Sequence, residues 1–499
     1  MENLLMGILT LILCTIGYLY AFKYQKDEKY RIGIFLLLIC GFILRFYTSM
    51  DLYLHDWDEK FHALVAKNLM DHPLRPTLYD NPVLPYDYRE WGGNHVWLHK
   101  QPMALWAMAG SMRIFGVNEI ALRLPSILLS TIGILLTYSL GSYFFNKKVA
   151  FLAAFFYSIN GLIIELTAGR VATDHIDIFF LFFIEIAIFF SMLFARDKLK
   201  IYNILAGVCL GAAVLSKWLP ALIVLPVWLL IVYDSGKFSV KAIIMQFAIL
   251  CFIAVIVFLP WQIYIHAVFP LEATWESNYN YKHLTEVIED RTGPFYYFLN
   301  KLRINYGELI YLPLIWFIWR LYKHPNDMKA WALCTWFLIP LIFFSMVATK
   351  MQAYILFTAP ALFMITAAFY YFLFQNIQKP KLKWLLIVLM VLLIGLPVRY
   401  SIERIKPFEI KERNPQWVID LKALDNGSTP NTLLLNYEPA IEAMFYTNLT
   451  AYPQLPDHQE IRELMNDGYK VLINDDGQLP DIIYSLEDVS IVNLLTPRE

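Results

Sequence analysis

The chain has 499 residues, of which 58% are hydrophobic, 16% aromatic and only 17% charged. Soluble domains average about 25% charged residues and place their apolar positions with a short period, so a wholly soluble enzyme is excluded and most of the chain belongs in lipid. The formal charge of -1 hides an asymmetry: residues 400–499 carry 8 Lys and Arg against 17 Asp and Glu, which leaves the preceding part basic.

A membrane helix needs about 20 largely apolar residues. Twelve runs approach that length, starting near Leu4, Ile32, Leu124, Val149, Ile176, Ile201, Trp218, Ala242, Leu309, Ala330, Ala353 and Trp384. The second contains Arg45 and the ninth is short. No basic segment precedes the first run and no small-residue cleavage site follows it, so it reads as a retained helix. Cys14, Cys40, Cys209, Cys251 and Cys334 all lie inside apolar runs and read as small core hydrophobes, with no disulfide framework.

Basic residues in short loops are retained in the cytoplasm. Every second connection is basic: KYQKDEKYR (23–31), NKK (146–148), RDKLK (196–200), DSGKFSVK (234–241), RLYKHPNDMK (320–329) and QNIQKPKLK (375–383). The others then face outward with both termini, namely the segment 49–120, AGRVATD (168–174), SKW (216–218), the loop 266–306 and TKMQ (349–352). Two long loops and three short charged turns are thus expected above one face of a helical bundle, as in a catalytic chamber at a lipid surface.

From about residue 408 the pattern changes. Strand-like TLLLN (432–436), YKVLIN (469–474) and VSIVNLL (489–495) alternate with helical stretches such as DHQEIRELMNDG, predicting a small α/β domain. The expected organisation is a transmembrane domain over 1–400 and a soluble extracytoplasmic domain over 401–499. The tail has no glycine-rich phosphate loop and reads as a structural or partner-contacting cap.

The first outer loop carries the adjacent acids Asp58 and Glu59 in HDWDEKFHALVAKNLM, at the start of an amphipathic stretch with Phe61, Leu64, Val65 and Leu69 on its apolar side. Acids at such a boundary are either solvated or set at a helix N-terminus for chemistry. Lys100, in HKQPMALWA, either snorkels to the interface or contacts a phosphate, and the stretch after it reads as a helix lying along the membrane surface. Arg170 and Asp174, in ELTAGRVATDHID, lie between two apolar runs, where unpaired charges cost about 2.5–3.5 kcal/mol. Lys217 and Lys350 are single cations at outer helix ends, and Glu185 within the fifth run reads as a bond between helices. Together these groups suit a sugar donor hung from a membrane polyprenyl phosphate. Cations stabilise the departing phosphate, and one carboxylate serves as base, which implies inversion because retention needs a second, nucleophilic group.

In order, WDEKFHALVAKNLM, HKQPMALWA, AGRVATDHI, LSKWLPALIVLPVW, FLPWQIY, KHLTEVIEDRTGPFYYFL and TKMQAYILFTAPALF resemble the bacterial aminoarabinose-transferase and protein-O-mannosyltransferase family of the GT-C superfamily, over residues 50 to about 375. The resemblance implies a polytopic helical GT-C fold and an inverting transferase using a polyprenyl-phosphate sugar. It assigns Asp58 as base, Asp174 to the second acidic position, Lys100 to the lipid phosphate, and Lys350 and Tyr354 to a late lysine and tyrosine. The chain departs from the family at Phe61-His62, Gln101 and Glu286, so Lys60, Arg291 or Arg170 are candidates to supply the phosphate contact instead. His99 and His283 are the pair that a divalent metal would use, though two histidines without a third ligand read equally as hydrogen-bonding loop residues; no cofactor is required. The expected setting is a bacterial cytoplasmic membrane with an extracytoplasmic acceptor, although Asn448-Leu449-Thr450 would be a glycosylation sequon in a eukaryotic host. The rival class is a transporter or flippase of lipid-linked sugars, but no pair of related halves with broken helices at the midplane is evident.

Overall fold

The computed structural model describes residues 2–378, 382–424, 429–486 and 488–496. The basic segment 375–383 therefore lies partly outside the described residues. The chain forms two compact units: Met1–Ser49, Lys100–Ala104 and Ser126–Ile410 make the first, and Met50–His99, Leu105–Pro125 and Lys411–Glu499 make the second. Most of the outer loop and most of the acidic tail thus share one unit, with Lys100–Ala104 in the other.

Among the described residues nine helices are long and apolar enough to cross a membrane, or ten if the bent pair Lys147–Ile159 and Gly161–Thr167 is one span. The two other apolar runs make shorter elements. Trp218, at φ 68°, ends the helix Lys200–Lys217, and the chain resumes as a 3-10 turn, Leu219–Ile223, leading into Val224–Asp234. Gly307, at φ 94°, likewise precedes Glu308–Ile310 and Tyr311–Lys323.

In the first unit the bent span has an identifiable cause. Its two helices meet at 48°, and the break leaves helix-end carbonyls that need donors. The fully buried Arg45 supplies them. Its guanidinium donates to the Ser158 carbonyl at 3.0 Å and the Tyr157 carbonyl at 3.3 Å, as well as to the Gly41 carbonyl and Ser130 Oγ, both at 3.0 Å. Asn160 then restarts the chain, its side chain accepting from Ile163 N. A charge that would be costly alone in lipid is tolerable when four of its five N–H donors are used.

The segment beyond the break is held from its other side. Glu165 is paired with Arg404, and Arg170 donates to the Ile405 carbonyl at 3.1 Å. The Asn3 amide donates to the Glu409 carbonyl at 2.5 Å, so the start of the first span and the end of the last lie at the same end of the bundle. An even number of crossings separates them. Elsewhere Gly207 and Gly211, four residues apart, let the helix Lys200–Lys217 approach Val240–Val268: a Cβ at either would lie 2.9 or 2.8 Å from the carbonyl oxygen of Leu250 or Ala254. Small residues at this spacing are the usual route to close helix packing in lipid.

The second unit contains the expected α/β tail. Strands β1 (Thr432–Leu435), β2 (Thr450–Ala451), β3 (Lys470–Asn474) and β4 (Ser490–Val492) form one parallel sheet of order β2-β1-β3-β4. All four residues of β1 are buried, as suits a central parallel strand. The helix His458–Asn466 opens on a capping box between Asp457 and Glu460. In the same unit the amphipathic helix predicted from the first outer loop is Asp58–Leu69, which buries Ala63, Leu64, Val65, Ala66 and Leu69.

Candidate active site

In the first unit, Asp174 and Asp177 occupy the first turn of the helix Asp174–Asp197, where unpaired N–H groups favour carboxylates. The Lys217 ammonium, at the end of Lys200–Lys217, lies 2.5 Å from Asp177 Oδ1 and 4.9 Å from the centre of the Tyr354 ring. The Thr173 hydroxyl also donates to Asp177. Asp174 accepts from the His175 N–H, and His175 Nδ1 is 2.9 Å from Ser126 Oγ. Thr173, Asp174 and Trp218 all have positive φ, at 70°, 22° and 68°. Such strain in side-chain-bearing residues persists only where the surroundings enforce it, and it clusters at functional sites.

Lys350 is 8% exposed and donates to the Val347 carbonyl at 2.6 Å, while its N–H donates to the Arg291 carbonyl at 2.9 Å. The N–H groups of Ala348 and Thr349 donate at 3.1 Å to the carbonyls of Leu284 and His283. His283 Nδ1 is 2.9 Å from the Tyr279 carbonyl. Burial holds the imidazole below the usual histidine range, and the charge of Lys100 acts in the same direction. Lys100 is also within electrostatic range of Asp177. Arg170, Lys217, Arg291 and Lys350 are distributed among the turns 168–174, 216–218 and 349–352 and the loop 266–306, of which the last two are tied by backbone bonds.

The second unit holds a separate charged cluster. Glu59 is fully buried, with Arg123 Nε 2.6 Å from Oε1 and Arg123 Nη2 2.8 Å from Oε2. The His55 backbone N–H donates to the same carboxylate at 2.8 Å. Asp51 binds Lys411 at 2.7 Å and Arg413 at 3.3 Å. Asp58, one residue before Glu59, is half-buried and begins the helix. Lys60 is met by the buried Glu442 of the tail at 3.2 Å. His99 stacks face to face on Trp91, with ring centres 4.6 Å apart. Among the described residues no three His, Cys, Asp or Glu are grouped to hold a metal ion.

Sequence reasoning did not single out Asp177, Arg123, Asp51 or Glu442. The signal for Asp177 is its position three residues after Asp174, on the same helical turn. Arg123 sits just ahead of an apolar run and looks like any flanking cation. Nothing in the sequence points Asp51 to residues more than three hundred positions away.

The fold defines the class: a polytopic helical membrane protein of the GT-C type with a small C-terminal sheet. Residues 99–264 match the family model described as dolichyl-phosphate-mannose-protein mannosyltransferase. An uncharacterized protein of Aquifex aeolicus is 26% identical over 74% of this chain and 70% of its own length. The undecaprenyl phosphate-alpha-4-amino-4-deoxy-L-arabinose arabinosyl transferase 2 of Pseudomonas fluorescens is 27% identical over 52% of this chain, and the match spans 44% of that protein. The chain thus spans about half the length of the named transferases it matches. Among solved structures, ArnT from Cupriavidus metallidurans in the apo state superposes with a TM-score of 0.60 at 15% identity, over 91% of this chain and 95% of that one. The oligosaccharyltransferase AglB from Archaeoglobus fulgidus, solved with an inhibitory peptide and a dolichol-phosphate, gives 0.55 at 14% identity, over 85% and 65%. The family model, the named transferases and both solved structures are GT-C superfamily glycosyltransferases, which is the resemblance carried by the order of the sequence motifs.

Proposed function

We propose that this chain is an inverting glycosyltransferase that moves one sugar from a polyprenyl-phosphate donor to an acceptor outside the cytoplasm. The observation that carries the reading is the pairing of Lys217 with Asp177 under Tyr354, in the first unit, whose turns and outer loop also carry Arg170, Arg291 and Lys350. Such a set matches an anion that sits where lipid meets water. The named relatives act on undecaprenyl phosphate-linked aminoarabinose, which supports undecaprenyl phosphate as the donor's lipid. The alternation of basic loops supports placing the charged turns on the outer face of a bacterial cytoplasmic membrane.

In the step we assign, the acceptor oxygen attacks the anomeric carbon as the bond from that carbon to the phosphate oxygen breaks. The proton of an acceptor hydroxyl passes to Asp58; an acceptor already ionised needs only its orientation. The polyprenyl phosphate leaves with its charge met by Lys and Arg, and Tyr354 lies over Lys217 to shape that site. Asp177 holds Lys217, and Glu59, with both oxygens engaged by Arg123, holds the start of the helix that presents Asp58.

The test is donor cleavage by purified protein in lipid nanodiscs containing a sugar-bearing polyprenyl phosphate and an extract of candidate acceptors. Wild type is expected to consume donor and Asp58→Asn to lose about 10² to 10⁴ in rate, the usual contribution of a general base. Transport of intact donor without cleavage would instead support a flippase and overturn the transferase reading.

A further inference from the structure

The sequence of the acidic tail shows no glycine-rich phosphate loop, yet its helix Ala440–Tyr446 lies against Asp58–Leu69, the helix that begins with the proposed base. Two lysines on that helix, Lys60 and Lys67, are seven residues apart, two full turns, and so share one face with about 10 Å between them. Lys60 meets the buried Glu442 at 3.2 Å. Lys67 donates to the carbonyls of Met444, Phe445 and Thr447 at 2.8, 3.1 and 2.6 Å, satisfying the C-terminal end of the tail helix. A cation in that position is favoured both by the orphan carbonyls and by the helix dipole.

The flanks are fastened in the same way. The Tyr446 hydroxyl accepts from the Leu54 N–H at 3.0 Å and donates to Glu119 at 2.9 Å, and Lys422 pairs with Glu119 at 3.0 Å. The Leu52 N–H donates to the Arg413 carbonyl at 2.6 Å, and the Tyr452 hydroxyl accepts from the Val83 N–H at 2.7 Å. Tail residues thus grip the chain before, along and after Asp58–Leu69.

Two anchors on one face of a helix fix its rotation as well as its position. Successive side chains are 100° apart around a helix, so a small rotation would swing Asp58 away from its direction while leaving the helix folded. We infer that the C-terminal domain is a brace for the base-bearing helix, with Lys67 and Glu442 as positioning residues for Asp58. This rests on the transferase reading above. On the brace, loss of either anchor lowers the chemical step and leaves donor affinity alone, because neither residue is assigned to the donor.

The experiment uses full-length Lys67→Met, Lys67→Arg and Glu442→Gln proteins in nanodiscs, with kcat and KM measured for a sugar-bearing polyprenyl phosphate. Lys67→Met and Glu442→Gln are each expected to lower kcat at least tenfold with KM within about twofold of wild type, and Lys67→Arg, which keeps a cation at the helix end, to restore most of it. Glu442→Gln preserves the side-chain shape and serves as the reading if Lys67→Met does not fold. Unchanged kcat in the folded variants, or a loss confined to KM, would overturn the brace. Absence of donor cleavage by wild type would overturn the transferase reading instead, so the two failures are distinct.

Discussion

Lys217 and Asp177 join the end of one span to the start of another at 2.5 Å, with the carboxylate 1% exposed. Removing the cation would strand a buried negative charge, which costs about 3 kcal/mol or more. Lys217→Met is therefore expected to lower the unfolding temperature in detergent markedly, and Asp177→Asn with Lys217→Met to recover part of the loss. A double variant no more stable than the single would show that the pair is not coupled.

Arg45 is expected to hold the bent span in shape. Each buried carbonyl left without a donor costs about 1–3 kcal/mol, and Arg45→Met orphans that of Ser158 and leaves that of Tyr157 with only the Asn160 N–H at 3.3 Å. Its thermal stability should fall clearly below wild type. Arg45→Lys should lie between, since one ammonium cannot reach all four acceptors. Identical melting of wild type and Arg45→Met would remove this account of the bend.

The glycine contact predicts opposite outcomes at two positions. A Cβ at Gly211 would come within 2.5 Å of Val257 Cβ and 2.8 Å of the Ala254 carbonyl oxygen, so Gly211→Leu must push the two helices apart, at about 1–3 kcal/mol. At Gly395, within the helix Lys383–Ile405, nothing lies within 4 Å of the added atom. Gly395→Ala should be neutral or stabilising by up to about 1 kcal/mol, as expected for a helix interior. Size-exclusion profiles after a heating series would read both.

His283 gives a pH dependence whose sign is fixed by its burial. Its folded-state pKa is lowered from the usual value of about 6.5, so the unfolded chain binds the proton more readily. Stability is then fully present above the unfolded pKa and is lost as pH falls through the window below it. The groups acting on the ring are Tyr279, Lys100, Glu289 and Glu276, of which Lys100 lowers its pKa and the others raise it. His283→Gln should flatten melting temperature against pH below about 6.5 relative to wild type. An unaltered profile would exclude this ring as the source.

Periodic features were legible in the sequence. The amphipathic stretch after Asp58, the strands at 432–436 and 469–474, and the long apolar runs all appear as elements because each announces itself through its own neighbours. Charge partners were harder to see. Glu59 and Lys60 look like ordinary first-turn charges, yet Arg123 and Glu442 meet them from distant parts of the chain. The Trp218 run looked like a full span, but the positive φ at Trp218 and the 3-10 turn after it shorten the helix.

By itself the sequence determined the character of each segment: length and hydropathy decide what is apolar enough for lipid, and a period of two or 3.6 decides strand or helix. Those are local properties, summed over neighbours. Only the tertiary structure decided which charges meet, that Arg45 feeds a broken span and that the tail holds the helix of Asp58, because a hydrogen bond depends on distances between residues hundreds of positions apart that no local pattern encodes.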